Sequence, residues 1–147
     1  MGLATDGGLL LPERLPDVRP HLAAWRKLDY ISLAEAVLAP FMDDLPAADR
    51  QRLLREGYAH FSHPEIAPVK AVGQLHIQEL FHGPTLAFKD LALQPLGGLF
   101  GYILERTGGQ LNILAATSGD TGSAAIAAVR GRPRLQAVVL HPHGRVS

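Results

Sequence analysis

The sequence predicts an α/β fold, with a helical and irregular N-terminal segment followed by the start of a parallel-sheet βαβ domain. Three observations carry this. Leu111–Ala116 and Leu135–Leu140 are short apolar runs of the kind that form buried parallel strands. Between them a Gly-rich turn, Thr117-Ser118-Gly119-Asp120-Thr121-Gly122, leads into an Ala-rich stretch over residues 123–130. That stretch reads as a helix, stopped by Gly131 and Pro133. Ahead of them, Leu75-His76-Ile77-Gln78-Glu79-Leu80 alternates apolar and polar residues and reads as a further strand. A right-handed crossover is expected for the βαβ unit. Two parallel strands and one helix leave a sheet in need of further layers, so the chain is expected to be the N-terminal part of something longer.

The remaining elements follow in chain order. The first 20 residues are rich in Pro and Gly and read as turns and extended pieces, at Asp6-Gly7-Gly8, Leu11-Pro12, Leu15-Pro16 and Arg19-Pro20. From Ser32, the run Leu33-Ala34-Glu35-Ala36-Val37-Leu38 predicts a helix with Ser32 and Glu35 as a capping box, ending before Pro40. Residues 47–60 predict a second helix, with Pro46 near its first turn and Leu53, Leu54 and Tyr58 on its apolar face. His63-Pro64 and Ala67-Pro68 mark a linker, which divides a mostly helical segment, 1–70, from a partial α/β segment, 71–147. Leu96, Leu99, Phe100, Ile103 and Leu104 follow helical spacing. Pro95 leaves two options. A helix from Lys89 carries the proline inside, at about 3 kcal/mol; a helix from Gln94 carries it in the first turn at little cost.

Composition narrows the functional classes. Hydrophobic residues make up 47% and charged residues 19%, enough apolar content to bury a core. The formal net charge is zero, which argues against electrostatically driven binding to nucleic acid or a membrane surface. There is no cysteine, which excludes disulfides, thiolate metal sites and a cysteine nucleophile. Met1-Gly2-Leu3-Ala4-Thr5-Asp6 lacks the basic and apolar regions of a signal peptide. The longest uncharged stretch, residues 91–104, is too short to span a bilayer. A cytoplasmic protein is expected.

Two segments could carry chemistry. The first is Leu80-Phe81-His82-Gly83-Pro84-Thr85-Leu86-Ala87-Phe88-Lys89-Asp90. Apolar residues on both sides of Lys89 predict a largely buried neighbourhood, which lowers an ammonium pKa and favours nucleophilic or proton-transfer chemistry. The alternative is a surface lysine paired with an acid. The second segment is the Gly-rich turn. Its hydroxyls, its glycines and the start of the following helix could seat a carboxylate or phosphate. It could equally be a tight strand-to-helix turn with Ser118 or Asp120 as the N-cap. Asp120-Thr121-Gly122-Ser123 also reads as an aspartic-protease tetrad, but that site needs a second carboxylate and β structure after it. His141 and His143 read as loop histidines with no third metal ligand nearby, and no metal site is expected. His82 could line a pocket or serve the structure.

Together, Glu79-Leu80-Phe81-His82-Gly83-Pro84-Thr85-Leu86-Ala87-Phe88-Lys89-Asp90 and Ala116-Thr117-Ser118-Gly119-Asp120-Thr121-Gly122-Ser123-Ala124 closely resemble the threonine synthase family, in its bacterial and fungal branch. Asp6-Gly7-Gly8-Leu9 and Leu11-Pro12-Glu13 are similar to that family's N-terminal region. The resemblance implies a pyridoxal-phosphate enzyme of fold type II, like the tryptophan synthase β chain, that converts O-phosphohomoserine and water to threonine and phosphate. It implies that Lys89 holds the cofactor as an internal aldimine and acts as base and acid. It implies that Thr85, Ser118, Gly119 and Thr121 hold the substrate carboxylate, that Asp120 faces the cofactor's ring hydroxyl, and that Phe88 and Asp90 lie beside the cofactor. The family usually begins with a Tyr-x-Ser-Thr-Arg-Gly-like strand and runs several hundred residues further, through a second Gly-rich loop for the cofactor phosphate. The chain is therefore expected to be partial. Two other functions stay open: a related phospho-lyase that stops at a 2-oxo acid, and a non-enzymatic anion-binding remnant or interaction module.

Overall fold

A computed structural model describes residues 4–145. Met1-Gly2-Leu3, where the signal-peptide reading begins, and Val146-Ser147, at the end of the chain, lie outside the described residues. The N-terminal stretch is exposed turn and extended chain to Asp17. A short 3-10 turn, Arg19–His21, then runs into helix α1 (Leu22–Trp25). Helices α2 (Tyr30–Leu38) and α3 (Ala47–Tyr58) follow, joined through a second 3-10 turn, Ala39–Phe41, that absorbs Pro40. Strands β1 (Val69–Val72) and β2 (Leu75–Gln78) form an antiparallel hairpin. Helix α4 (Asp90–Thr107), strand β3 (Leu111–Ala116), helix α5 (Asp120–Val129) and strand β4 (Leu135–Leu140) complete the α/β part. Among the described residues, no helix is long and apolar enough to cross a membrane.

The βαβ unit has the expected topology: β3 and β4 pair in parallel, with Leu111 opposite Leu135 and Ala116 opposite Leu140. Full burial of these strands is corrected. Leu111, Ile113 and Ala115 are half-buried, and so are Ala137 and Val139 beside the buried Leu135. Leu114, Val138 and Leu140 on the other face are 71%, 58% and 56% exposed. Successive side chains of a strand point to opposite faces, so cover on one face leaves alternate residues in solvent.

Several N-terminal expectations also change. The predicted capping box at Ser32 and Glu35 is replaced by Asp29, whose Oδ1 accepts the Ser32 amide at 2.7 Å and starts α2 three residues earlier. Glu35 instead faces Arg50 on α3, where Oε1 accepts from Nε at 3.0 Å and from Nη2 at 2.8 Å. The Arg50 guanidinium also donates to the carbonyls of Met42, at 3.0 Å, and Leu45. One half-buried arginine thus ties α2, the 3-10 turn and α3 together. The supposed linker is partly interior. Ile66 and Ala67 are buried, and Ile66 joins Leu54 and Tyr58 in a core against Tyr30, Ile31, Ala34 and Leu91.

Pro95 lies inside α4. A proline has no N–H, so the carbonyl four residues earlier, that of Leu91, loses its helical partner. Tyr58 on α3 supplies a substitute: its hydroxyl donates to the Leu91 carbonyl at 2.9 Å. Burial pushes the Tyr58 pKa up, so the hydroxyl keeps the proton it donates. Gly57 makes room for this approach, because a Cβ there would stand 2.9 Å from the Pro95 Cα. The α3–α4 contact is therefore built around the proline.

Tyr58→Phe leaves the Leu91 carbonyl without its partner and is expected to cost about 1–3 kcal/mol. The measurement is a urea unfolding midpoint at unchanged slope. Arg106→Ala, which removes an exposed pair with Asp49, serves as comparison and is expected to cost under about 1 kcal/mol.

Candidate functional site

Lys89 stands at the N-terminal boundary of α4, with helical backbone angles, and its carbonyl accepts the Leu93 amide at 2.9 Å. The side chain is half-buried, and its Nζ lies 4.2 Å from the centroid of the Phe88 ring. Such an approach is a cation–π contact when the amine is charged. The apolar flanks do not bury it as the sequence suggests. Leu86 and Phe88 are 71% and 58% exposed. Residues 85–89 form a turn rather than a helix, and this turn sends Ala87 and Asp90 inward and Leu86 and Phe88 outward.

Asp90 is the anchor of that turn. It is fully buried, and both of its oxygens accept hydrogen bonds. Oδ2 takes the Thr85 amide at 2.8 Å and the Thr85 hydroxyl at 2.9 Å. Oδ1 takes Gln94 Nε2 at 3.0 Å. Three donors, plus the partial positive charge of the helix start, compensate a buried carboxyl that forms no ion pair among the described residues. Gly83 is required here, because a Cβ on it would stand 2.4 Å from the Asp90 Cβ. Within the turn Leu86 has φ 61°, a left-handed conformation costing about 1–2 kcal/mol for an L-residue.

Gln94 extends the network. The same Nε2 lies 3.4 Å from the carbonyl of Ala124 on α5. The Lys89 segment is thereby joined to the helix that begins in the Gly-rich turn. That turn places Gly119 as the cap residue of α5, with no side-chain cap, so the N-cap role read for Ser118 or Asp120 is corrected. The Gly119 amide donates to Thr117 Oγ1 at 3.3 Å, and the Gly119 carbonyl accepts from Gly122 at 2.9 Å. Ser118, Asp120 and Thr121 are exposed, and Gly119 is half-buried. Gly122 serves packing rather than ligand approach, since a Cβ there would collide with Thr117 Cγ2 at 2.8 Å and Val139 Cγ1 at 2.9 Å. Beside the turn lies a concavity of about 240 Å³, bordered by Thr117, Gly119, Ser123, Ile126 and His141. Asp120 opens a helix, which is not the β setting an aspartic-protease tetrad requires.

The residues predicted for the site fall in two groups: Thr85, Phe88 and Lys89 in one segment, and Ser118, Gly119, Asp120 and Thr121 in the other. The bridge between them runs through Asp90, Gln94 and the Ala124 carbonyl. Gln94 escapes a sequence reading because a glutamine four residues after an acid is unremarkable on a helix. A larger apolar cleft, between α2, α3 and α4, does not include Lys89. Among the described residues, no cluster of His, Asp and Glu could hold a metal ion.

His82 has a structural partner. Its Nε2 is 2.8 Å from Glu79 Oε2, and Glu79 Oε1 is 2.9 Å from Lys70 Nζ. The bond from Lys70 first, and that from His82 second, hold the Glu79 carboxyl below its usual range. A carboxyl lowered in the folded state contributes stability above its unfolded pKa and loses it as pH falls through the folded value. Glu79→Gln is therefore expected to reduce the acid-side fall in stability, measured as urea midpoint against pH below the ordinary glutamate range. An unchanged acid limb would exclude Glu79 as a contributor.

Comparison with known proteins bears on both segments. Residues 1–58 match the family described as Threonine synthase N terminus. The chain is 46% identical over 149 residues to the threonine synthase of Pseudomonas aeruginosa, covering 99% of this chain and 32% of that protein. It is 41% identical over 148 residues to threonine synthase-like 2 of Xenopus laevis, covering 98% of this chain and 31% of that protein. Among solved structures, the threonine synthase of Brucella melitensis with bound pyridoxal phosphate superposes with a TM-score of 0.92 at 46% identity, covering 99% of this chain and 32% of that one. The chain thus spans about a third of the length of the relatives it matches. In sequence and in fold, the chain is similar to the N-terminal third of threonine synthases.

Proposed function

We propose that this chain carries the lysine-bearing part of a threonine synthase, a pyridoxal-phosphate-dependent lyase that converts O-phosphohomoserine and water into threonine and phosphate. The observation that most supports this is the pairing, by one hydrogen-bonded bridge, of a half-buried lysine at the start of α4 with a helix start on α5 that no side chain caps. The Brucella melitensis relative, similar over the whole chain, is a threonine synthase with pyridoxal phosphate bound.

The residues present fit such a cofactor. Lys89 offers an amine beside the exposed Phe88 ring, an apolar surface suited to a planar heterocycle. In this reading Lys89 carries the cofactor through Nζ, and Asp120 faces its ring hydroxyl. The cofactor, when bound, supplies an electron sink for the substrate's α-carbon. Lys89 Nζ holds and returns protons at the substrate carbons. Ser118, Gly119 and Thr121 hold the substrate carboxylate at the start of α5, where amides and the helix dipole favour an anion. Thr85 has both of its donors turned to Asp90, so in this arrangement it offers lone pairs to a substrate donor and has no donor for the substrate carboxylate. The overall reaction balances: the phosphate ester leaves the γ-carbon and water supplies the hydroxyl at the β-carbon.

The alternative that the sequence leaves open is a related phospho-lyase acting on the same phosphorylated amino acid. A phospho-lyase would release phosphate from the same substrate and, with one water supplying the oxo oxygen at the α-carbon, stop at 2-oxobutyrate and ammonia, with no hydroxyl added at the β-carbon.

The test uses an enzyme of the relatives' full length that carries this segment. Lys89→Ala is expected to lower threonine formation from O-phosphohomoserine by at least about 10³-fold. Turnover near that of the parent would overturn the assignment. Analysis of the parent's products separates the two readings, threonine against 2-oxobutyrate.

A further inference from the structure

We propose that Asp90 is a positioning residue: its buried carboxyl fixes the Thr85–Asp90 turn and so sets where the Phe88 ring and the Lys89 amine are presented. The proposal rests on the reading of Lys89 as the cofactor lysine. Asp90 itself is fully buried and cannot touch a ligand, so any influence it has must pass through its neighbours.

The geometry supports a role beyond general stability. The two bonds from Thr85 close a short loop onto Asp90. Every residue inside that loop belongs to the presented surface or holds it. Leu86 is kept left-handed, a conformation it would leave if unrestrained. Ala87 is buried as a pin, and its carbonyl accepts the Asp90 amide at 3.0 Å. Phe88 and Lys89 occupy the last two positions, with the amine over the ring. The other oxygen of Asp90 faces Gln94, which reaches the Ala124 carbonyl on α5. A single carboxyl therefore references the lysine segment to the helix whose first turn would hold the substrate.

The chemistry of the group explains why it is an acid. Three donors converge on it from two sides. Asparagine has the same shape but one acceptor oxygen, so its amide nitrogen must face either the Thr85 donors or the Gln94 donor. Either choice sets donor against donor. Glutamate would carry its carboxyl one methylene beyond the point where these three donors meet.

The test uses this chain and two readouts. The first is amide hydrogen exchange at Thr85, whose N–H is held by Asp90. The second is competitive labelling of its three lysines, Lys27, Lys70 and Lys89, by pyridoxal phosphate, trapped with borohydride and mapped by mass spectrometry. Asp90→Asn is expected to speed Thr85 exchange about tenfold or more and to lower the share of label on Lys89 severalfold relative to Lys27. Gln94→Met, which keeps Thr85's bonds but cuts the tie to α5, covers the case in which Asp90→Asn does not fold. It is expected to reduce the Lys89 share by a smaller factor. Tyr58→Phe supplies the control for stability alone: it lowers the unfolding midpoint and leaves the Lys89 share unchanged. The proposal is overturned if Asp90→Asn leaves Thr85 protected, or if the Lys89 share follows the unfolding midpoint equally in all three variants. Absence of any preference for Lys89 in the parent chain contradicts the cofactor reading instead, and Thr85 exchange then decides the role of Asp90.

Discussion

A buried acid that forms no ion pair among the described residues is a costly feature, and in this chain the structure around Lys89 is organised to satisfy it. Asp90 sits at the first position of α4, where the helix dipole favours a negative group. It receives three hydrogen bonds, and Gly83 leaves the space it needs. Removing any one of these donors leaves part of a desolvated carboxyl unpaired, at a cost of about 1–3 kcal/mol or more. The network is therefore cooperative. Its members also belong to different elements: the turn after β2, the first turns of α4, and α5. Satisfying one carboxyl fixes the mutual placement of all three.

The same logic recurs at Pro95. A proline inside α4 orphans the Leu91 carbonyl, and Tyr58 answers it from α3. The two contacts lie within the first two turns of α4, one on the α3 side and one on the α5 side. The Tyr58 contact sets how α4 packs on α3, while Asp90 fixes the turn at its N-terminal end. Lys89 projects from that end. A group that must meet a reacting centre gains from such rigidity, because small displacements of a catalytic group are expensive in rate.

Much of this was legible in the sequence. The βαβ unit followed from two apolar runs around a Gly-rich turn, and β3 and β4 have the predicted bounds. The motifs around Lys89 and Thr117 pointed to the threonine synthase family, which the comparisons support over 99% of the chain. What the sequence hid was pairing at a distance. Nothing local distinguishes Ser32 from Asp29 as a cap, or tells Glu35 to seek Arg50 rather than its own helix start. Strand β1 carries the exposed Val-Lys-Ala-Val, too short to register as a strand until β2 folds back on it. Pro95 was ambiguous because its compensation comes from a tyrosine 37 residues earlier in the chain. Asp90 read as a neighbour of the lysine, while its burial and its reach to α5 through Gln94 required the fold.

The most direct test of the central claim is a through-bond measurement on the isotope-labelled chain. A hydrogen bond from the Thr85 amide to the Asp90 carboxyl transmits a scalar coupling between the Thr85 nitrogen and the Asp90 side-chain carboxyl carbon. The expected result is a resolved coupling, accompanied by a slowly exchanging Thr85 amide. A Thr85 amide that exchanges freely and shows no coupling to Asp90 would contradict the account, because the turn that presents Lys89 would then lack its anchor.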